Sequence, residues 1–169
     1  IPGGGTHTLL PGEAYPILNQ PVTIDATSQP GYSDTPLVVL DGSGTTNSNG
    51  LALRGGGSTI KGLSIVNFKE QIGISGSGGA GQNRIGANYI GVRPDGTLGN
   101  PVRQEFGITL VGAAMNNQIG GFRAENRNVI GGTGEGISIN SNSTNNRVIN
   151  NYVGVAADGV TSIANRDGI

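Results

Sequence analysis

One nine-residue stretch decides the fold of this chain: it reads NYIGVRPDG at residues 88–96 and returns as NYVGVAADG at residues 151–159. The two copies are 63 positions apart, and NRI at residues 83–85 matches NRV at residues 146–148 with the same offset. Self-similarity at a fixed spacing is typical of repeat architectures, in which each unit buries its apolar side only by stacking on its neighbours.

Shorter offsets lie inside the long one. IKGLSI at residues 60–65 aligns with IGANYI at residues 85–90, an offset of 25, and FGI at residues 106–108 resembles DGI at residues 167–169, an offset of 61. Periods in the twenties, lengthened by insertions, suit one turn of a parallel β-solenoid. Because DGI resembles the start of another strand, we expect the solenoid to continue or to be capped beyond it.

The apolar residues alternate within each unit. GITL at residues 107–110, GISI at 136–139 and IGI at 72–74 each place one side chain inward and the next outward, which is the two-residue period of a strand. Such short strands become stable only when turns stack about 4.8 Å apart and their inward aliphatic residues form columns. Asn and Gly between the strands, as in residues 140–146, predict corners in the left-handed conformation and stacked Asn amides.

Composition supports an all-β chain. The 169 residues include 32 Gly and 8 Pro, which disfavour helices, and 34% of residues are hydrophobic and 12% charged. We therefore predict a right-handed, single-stranded parallel β-helix with inserted loops, forming one domain over residues 1–169. Residues 1–49 would form its N-terminal turns and residues 50–169 its repeat turns, as a fragment of a longer solenoid.

Charge, cysteine content and hydropathy exclude several classes of protein. The net charge is −1 and the basic residues are scattered, so no nucleic-acid partner is expected. No apolar run approaches the roughly 20 residues of a membrane-spanning helix. There is no Cys, which excludes a disulfide framework and thiolate metal sites.

The chain resembles the right-handed parallel β-helix repeats of the pectate-lyase-like superfamily, and in particular repeat regions of large secreted bacterial surface proteins. The pattern G-N-x-I-x-G-N-Y-I-G-x-x-x-x-G-x-x-x-x-G-N-x-x-G-I is carried by residues 83–108 and more loosely by 146–169. Residues 1–9, 21–25 and 29–32 resemble the segment that precedes such repeats. The resemblance implies a bacterial extracellular or cell-surface setting, but proteins that share it include enzymes, adhesins and fragments without an assigned role.

No set of residues predicts a catalyst. As the resemblance implies, lyases on this fold hold calcium with clustered Asp residues and use Lys or Arg as the base, whereas related hydrolases use paired Asp residues. Asp25 and Asp41 are a candidate pair, although each ends a strand before a small residue, which favours a turn. His7 lies between two Thr residues and is expected to be structural. No catalytic or metal-binding residue and no cofactor is predicted; calcium at the Asp-Gly turns is left open.

The inserted loops are the candidate ligand-binding site because function on rigid scaffolds concentrates on protruding loops. They carry much of the charge of the chain, on Arg93, Asp95, Arg103, Glu105, Arg123, Glu125 and Asp158. If the 63-residue offset returns the chain to the same side, Asp95 and Asp158 lie above one another at different heights. The alternative is that these charges pair across neighbouring loops and serve solubility.

Two functions follow from these observations. The first is a non-catalytic extracellular or cell-surface structural and adhesion module, with weak glycan or protein binding through its loops. The alternative is a carbohydrate-active enzyme, a polysaccharide lyase or hydrolase, or its scaffold. A polysaccharide or surface glycan, neighbouring solenoid segments and end-to-end self-association are the expected partners. Convergence of three carboxylates with Arg or Lys in a groove would favour the enzyme, whereas isolated paired charges would favour the module.

Overall fold

A computed structural model describes residues 1, 3–76, 81–140 and 142–169. The described residues form short strands joined by corners and loops, with three single-turn 3-10 helices η1 (Ala26–Ser28), η2 (Gly42–Gly44) and η3 (Ala124–Asn126). The strands are β1 (His7–Leu9), β2 (Thr23–Asp25), β3 (Val38–Asp41), β4 (Leu51–Leu53), β5 (Thr59–Lys61), β6 (Leu63–Val66), β7 (Glu70–Ser75), β8 (Arg84–Gly86), β9 (Tyr89–Ile90), β10 (Phe106–Val111), β11 (Gln118–Gly120), β12 (Val129–Ile130), β13 (Glu135–Ile139), β14 (Arg147–Ile149) and β15 (Tyr152–Val153).

The strands form three parallel sheets that the chain visits in rotation. Sheet A has the order β1-β3-β6-β9-β12-β15, sheet B the order β4-β7-β10-β13 and sheet C the order β2-β5-β8-β11-β14. From β3 to β14, each circuit, such as β6–β7–β8, adds one strand to every sheet. This all-β, parallel arrangement confirms the predicted fold class at that level and is compatible with a β-solenoid, whereas its right-handedness stays a prediction.

The strand register matches the repeats in the sequence. Ile60 is paired with Ile85, as the offset of 25 predicts, and Ile108 is paired with Ile137, so that the alternating stretches GITL and GISI lie side by side. The offset of 63 spans two circuits, because β12 lies between β9 and β15 in sheet A. The sequence interpretation missed this middle copy, whose connection between sheets A and B is short. Phe106 and Asp167 both pair with Glu135, which also accounts for the offset of 61.

The core lies between the three sheets. Inward residues of successive circuits stack in columns, for example Ile60, Ile85 and Ile119 in sheet C, and all three are fully buried. The same apolar cluster includes Ile65, Ile90 and Ile130 from sheet A and Ile72, Ile108 and Ile137 from sheet B. The alternation read from the sequence thus places one aliphatic interior along the stack.

Two ladders of Asn side chains run beside this core. Asn83, Asn117 and Asn146 form one ladder, in which each Nδ2 donates to the next Oδ1 over 2.9 Å. The second ladder consists of Asn88, Asn128 and Asn151, with corresponding distances of 3.1 and 2.9 Å. Each accepting oxygen also receives the backbone N–H of the preceding Asn, so the buried polar groups at the corners are satisfied. The ladders confirm the stacked amides that the Asn-rich corners predict.

Within the described part of the chain, no helix is long and apolar enough to cross a membrane.

Candidate functional site

The inserted loops are the connections from sheet A to sheet B. They cover residues 91–105 after β9 and 154–166 after β15, whereas residues 131–134 make the same connection after β12. Each long loop begins as a small antiparallel ribbon, closed by the pairs Val92–Leu98 and Val155–Ser162. The two ribbons are equivalent in position and lie two circuits apart, because β12 separates β9 from β15 in sheet A. The expectation that Asp95 and Asp158 lie at different heights on the same side is therefore confirmed.

The long loops fold back over the outer face of sheet A. Val92 and Ile163 pack there with Tyr89 and Val129 in an apolar cluster separate from the main core, and all four side chains are buried. Ser64, also on this face, donates its hydroxyl to the carbonyl of Val92 over 2.7 Å. The loops are thus anchored to the sheet instead of projecting freely.

Two glycines in the short connection make room for both loops. A Cβ on Gly131 would lie 2.5 Å from the carbonyl oxygen of Ile163, and one on Gly132 would lie 3.0 Å from Leu98. Because Gly132 also has a φ of +67°, any side chain there would be strained. The loops before and after the copy without an insertion therefore both pack against its short connection, residues 131–134.

Asp95 and Asp158 each stabilise their own turn. Asp95 accepts from the hydroxyl and backbone N–H of Thr97 at 2.6 and 2.9 Å, and Asp158 accepts from the same groups of Thr161 at 2.6 and 2.8 Å. These hydrogen bonds, led by those from the Thr side chains, hold both carboxyl pKa values below their usual range. Both carboxylates are engaged within their ribbons, and neither pairs with a cation in the described structure.

Arg93 and Arg103 contact the segment that ends β3. Arg93 donates to Asp41 Oδ2 over 2.9 Å, and Arg103 Nη1 donates to the carbonyls of Gly42 and Thr45 at 3.1 and 3.2 Å. Burial raises the pKa of Asp41, but hydrogen bonds from Asn67, Ser43 and Arg93 outweigh it, so the pKa lies below its usual value. Both arginines therefore fasten the loop of residues 91–105 to the preceding circuits.

The remaining predicted ligand-binding residues, Glu105, Arg123 and Glu125, form ion pairs at the surface, away from the contacts of Arg93 and Arg103. Glu105 lies 3.3 Å from Lys69, in an ion pair with two partly exposed side chains. Arg123 and Glu125 approach to 3.5 Å on the connection between sheets C and A. Glu125 also lines a cleft of about 270 Å³ on sheet A with Tyr152, whose ring lies 4.0 Å beneath the Arg127 guanidinium.

The structure does not bring the predicted site residues into one groove. Asp25 and Asp41, the candidate acid pair, instead cap η1 and η2, each accepting from the backbone N–H two residues later. Asp25 is also paired with Lys61 at 2.9 Å, and the His7 ring contacts the carbonyl of Gly3. Among the described residues, no three His, Asp or Glu side chains are close enough together to hold a metal ion. The turns predicted for Asp25 and Asp41 are confirmed.

Sequence reasoning missed a trough on the corner between sheets B and C. Its volume is about 550 Å³, and three equivalent rows line it: residues 82–84, 116–118 and 145–147. Each row has an exposed residue with positive φ, a ladder Asn and an outward side chain. The recurring Asn-Arg pair in residues 83–84 and 146–147 was the available signal, but it served only to measure the repeat.

Comparisons with protein-family models, with curated proteins and with solved structures find no match to this chain. The class that the fold itself defines is an all-β protein with three parallel sheets.

Proposed function

We propose that the chain is a non-catalytic structural and adhesion module of a secreted or cell-surface bacterial protein, folded as a right-handed parallel β-helix of the pectate-lyase-like type. The supporting observation is that most carboxylates form local ion pairs or hydrogen bonds and do not converge in a groove. Nine of the 11 acidic side chains already have an ion-pair or hydrogen-bond partner in the described structure, singly or in local pairs: Asp25, Asp41, Glu70, Asp95, Glu105, Glu125, Glu135, Asp158 and Asp167.

A body of this kind is suited to hold a shape. Its apolar columns, its Asn ladders and the loops seated on sheet A leave few backbone segments that can open without breaking buried contacts. Adhesive contacts with surface glycans or proteins would come from exposed groups on the loops, such as Phe122 and Arg123 on the connection between sheets C and A. Such contacts would be weak, because the exposed charges there are solvated and already paired.

The test compares turnover with binding. Purified protein is incubated with acidic and neutral polysaccharides, and the release of unsaturated sugars and of new reducing ends is followed beside binding on a glycan array. We expect no product above a heat-denatured control, together with weak binding at most. Product formation that is lost in Asp41→Asn or in the double variant Asp95→Asn/Asp158→Asn would overturn the proposal in favour of a carbohydrate-active enzyme.

A second measurement tests the structural role. We expect the folded chain to resist a broad-specificity protease over times in which a urea-unfolded sample is cut completely. Rapid cleavage throughout the strands under native conditions would contradict a rigid module, whereas cuts confined to loop tips would agree with it.

A further inference from the structure

Two of the three basic side chains without a partner in the described structure, Arg84 and Arg147, line the trough. Seven of the ten Lys and Arg residues have an ion-pair or hydrogen-bond partner in the described structure: Lys61, Lys69, Arg93, Arg103, Arg123, Arg127 and Arg166. The other three are Arg54, Arg84 and Arg147, and within the described residues none of them has an ion pair or a side-chain hydrogen bond. Arg54 follows β4 and is not among the residues that line the trough.

Arg84 and Arg147 lie in one column on the outer face of sheet C. Gln118 is paired with Arg84 in one direction and with Arg147 in the other, so the two arginines are two strands apart. At about 4.8 Å per strand, this separation is about 9.6 Å along the stack. The Gln118 amide donates to the carbonyl of Gly120 over 3.0 Å and carries no charge. The column therefore presents two guanidinium groups with a neutral amide between them.

The rest of the trough is rich in amides and holds its shape. Asn83, Asn117 and Asn146 form its back wall as a hydrogen-bonded ladder, and Gln82, Asn116 and Asn145 form its exposed rim. The rim is tied between circuits by backbone hydrogen bonds from Gln82 to Met115 and from Asn116 to Thr144, both 3.2 Å. None of the described residues that line this surface is an Asp or a Glu.

We propose that this trough binds a linear anionic polysaccharide whose acid groups recur on every second sugar. Guanidinium groups bind carboxylates and sulfates through two parallel hydrogen bonds, and amides both donate to and accept from hydroxyl groups. A 1,4- or 1,3-linked sugar advances along its chain by roughly one strand spacing, so acids on alternate sugars would meet Arg84 and Arg147 in turn. This site is separate from the inserted loops of the proposed adhesive function.

The surface is less suited to other polyanions. Single-stranded nucleic acids are bound by aromatic platforms, and none of the residues described along the trough is aromatic. The net charge of −1 is also unfavourable for a long, densely charged polymer.

The decisive experiment is calorimetric titration with an eight-sugar oligomer of alternating uronic acid and N-acetylhexosamine. The variant Arg84→Gln/Arg147→Gln is compared with Lys69→Gln/Arg166→Gln, which has the same net charge but changes exposed ion pairs elsewhere. We expect the first variant to bind at least about tenfold more weakly than wild type and the control to bind as wild type does. Equal affinity for all three proteins would overturn the proposal.

A second variant keeps both arginines. Gln118→Glu places a carboxylate between them, where it would compete with the ligand, so we expect a comparable loss of affinity. An unchanged affinity in this variant would also overturn the proposal, as would loss of affinity in the Lys69→Gln/Arg166→Gln control. Far-UV circular dichroism and thermal melting confirm that each variant is folded.

Ligand variants identify the chemistry. Carboxyl-reduced oligomer and a neutral gluco-oligosaccharide of equal length should bind at least about tenfold more weakly than the alternating acid, and raising salt from about 0.05 M to about 0.5 M should weaken binding of the acid. An oligomer with an acid on every sugar should show no gain in affinity over the alternating one. Tighter binding of single-stranded DNA or of polyphosphate would assign the trough to another class of polyanion and would overturn the proposal.

Discussion

The outer faces of sheets A and C have the same strand register and opposite environments. On sheet A the outward column contains Val39, Ser64, Tyr89 and Val129, which are all buried, and loop residues contact the last three. On sheet C the equivalent column contains Thr59, Arg84, Gln118 and Arg147, which remain partly or fully exposed. The cause is where the insertions occur, because the long connections leave sheet A and fold back on it, whereas the corners leading into sheet C stay short.

The difference teaches that a repeat can be stabilised in two ways. The covered face gains a second apolar cluster outside the core, which buries side chains at the expense of an open binding surface. The bare face gains no such cluster and is supported from behind by hydrogen-bonded Asn side chains. Substitutions on the two faces should therefore act through different physical terms.

The largest effect is expected for Asn117→Ala, which removes the middle of the ladder beneath the bare face. The substitution leaves the buried N–H and Nδ2 of Asn83 without their acceptor at 3.0 and 2.9 Å. We expect the free energy of unfolding to fall by about 3 kcal/mol, measured by urea denaturation. The neighbouring Gln118 side chain points outward, so Gln118→Ala should lower the free energy of unfolding by about 0.5 kcal/mol or less. Equal costs for the two variants would show that the ladder does not support this face.

Next is Ile163→Ala on the covered face. Ile163 is 6% exposed and packs against Gly131, so truncation leaves a cavity under the loop of residues 154–166. We expect a loss of about 2 kcal/mol, the low end for such truncations because the loop can partly collapse. Val160→Ala on the same loop is the matched control, since Val160 is 83% exposed. A loss no greater than that of Val160→Ala would mean that the loop does not stabilise sheet A.

The third prediction concerns the anchor of the loop of residues 91–105. The folded pKa of Asp41 lies below its unfolded value of 3.8, so its stabilising contribution is complete above that pH and is lost as the pH falls through the folded pKa. Asp41→Asn should cost about 1.5 kcal/mol at pH 7 and should flatten the acid limb of the stability curve below about pH 4. Superimposable acid limbs for wild type and variant, measured by urea denaturation at each pH, would contradict this assignment.

Much of the fold could be predicted from the sequence because its information is local and repeated. The alternation in GITL and GISI gives the inward column directly, and the offset of 25 gives the register of β5 with β8. The middle copy at residues 117–134 was missed because it lacks the Asp-Gly loop by which the other two copies were recognised. A repeat search anchored on the Asn residues of the second ladder, Asn88, Asn128 and Asn151, would have found it.

The candidate site was less predictable because charge pairing is a long-range property. Arg93 pairs with Asp41 across 52 positions, and nothing in the sequence around either residue indicates the other. The sequence also does not indicate that Arg84 and Arg147 lack an ion-pair partner in the described structure, since this depends on where all the carboxylates lie. The sequence indicates which residues face outward, but the loops that cover one outer face and leave another bare are set by three-dimensional packing.

The smallest effect is spectroscopic and concerns the edge of the covered face. Burial, with the negative charge of Asp34 and the nearby Tyr89, raises the pKa of Tyr32 to about 12 from the usual 10.0. Because the neutral phenol is favoured in the folded state, its contribution to stability is present below pH 10 and is lost as the pH rises toward 12. The absorbance titration of wild type minus Tyr32→Phe should therefore show one phenolate forming near pH 12. Asp34→Asn should move that midpoint downward, and a difference titration centred near pH 10 would place Tyr32 in open solvent, outside the covered face.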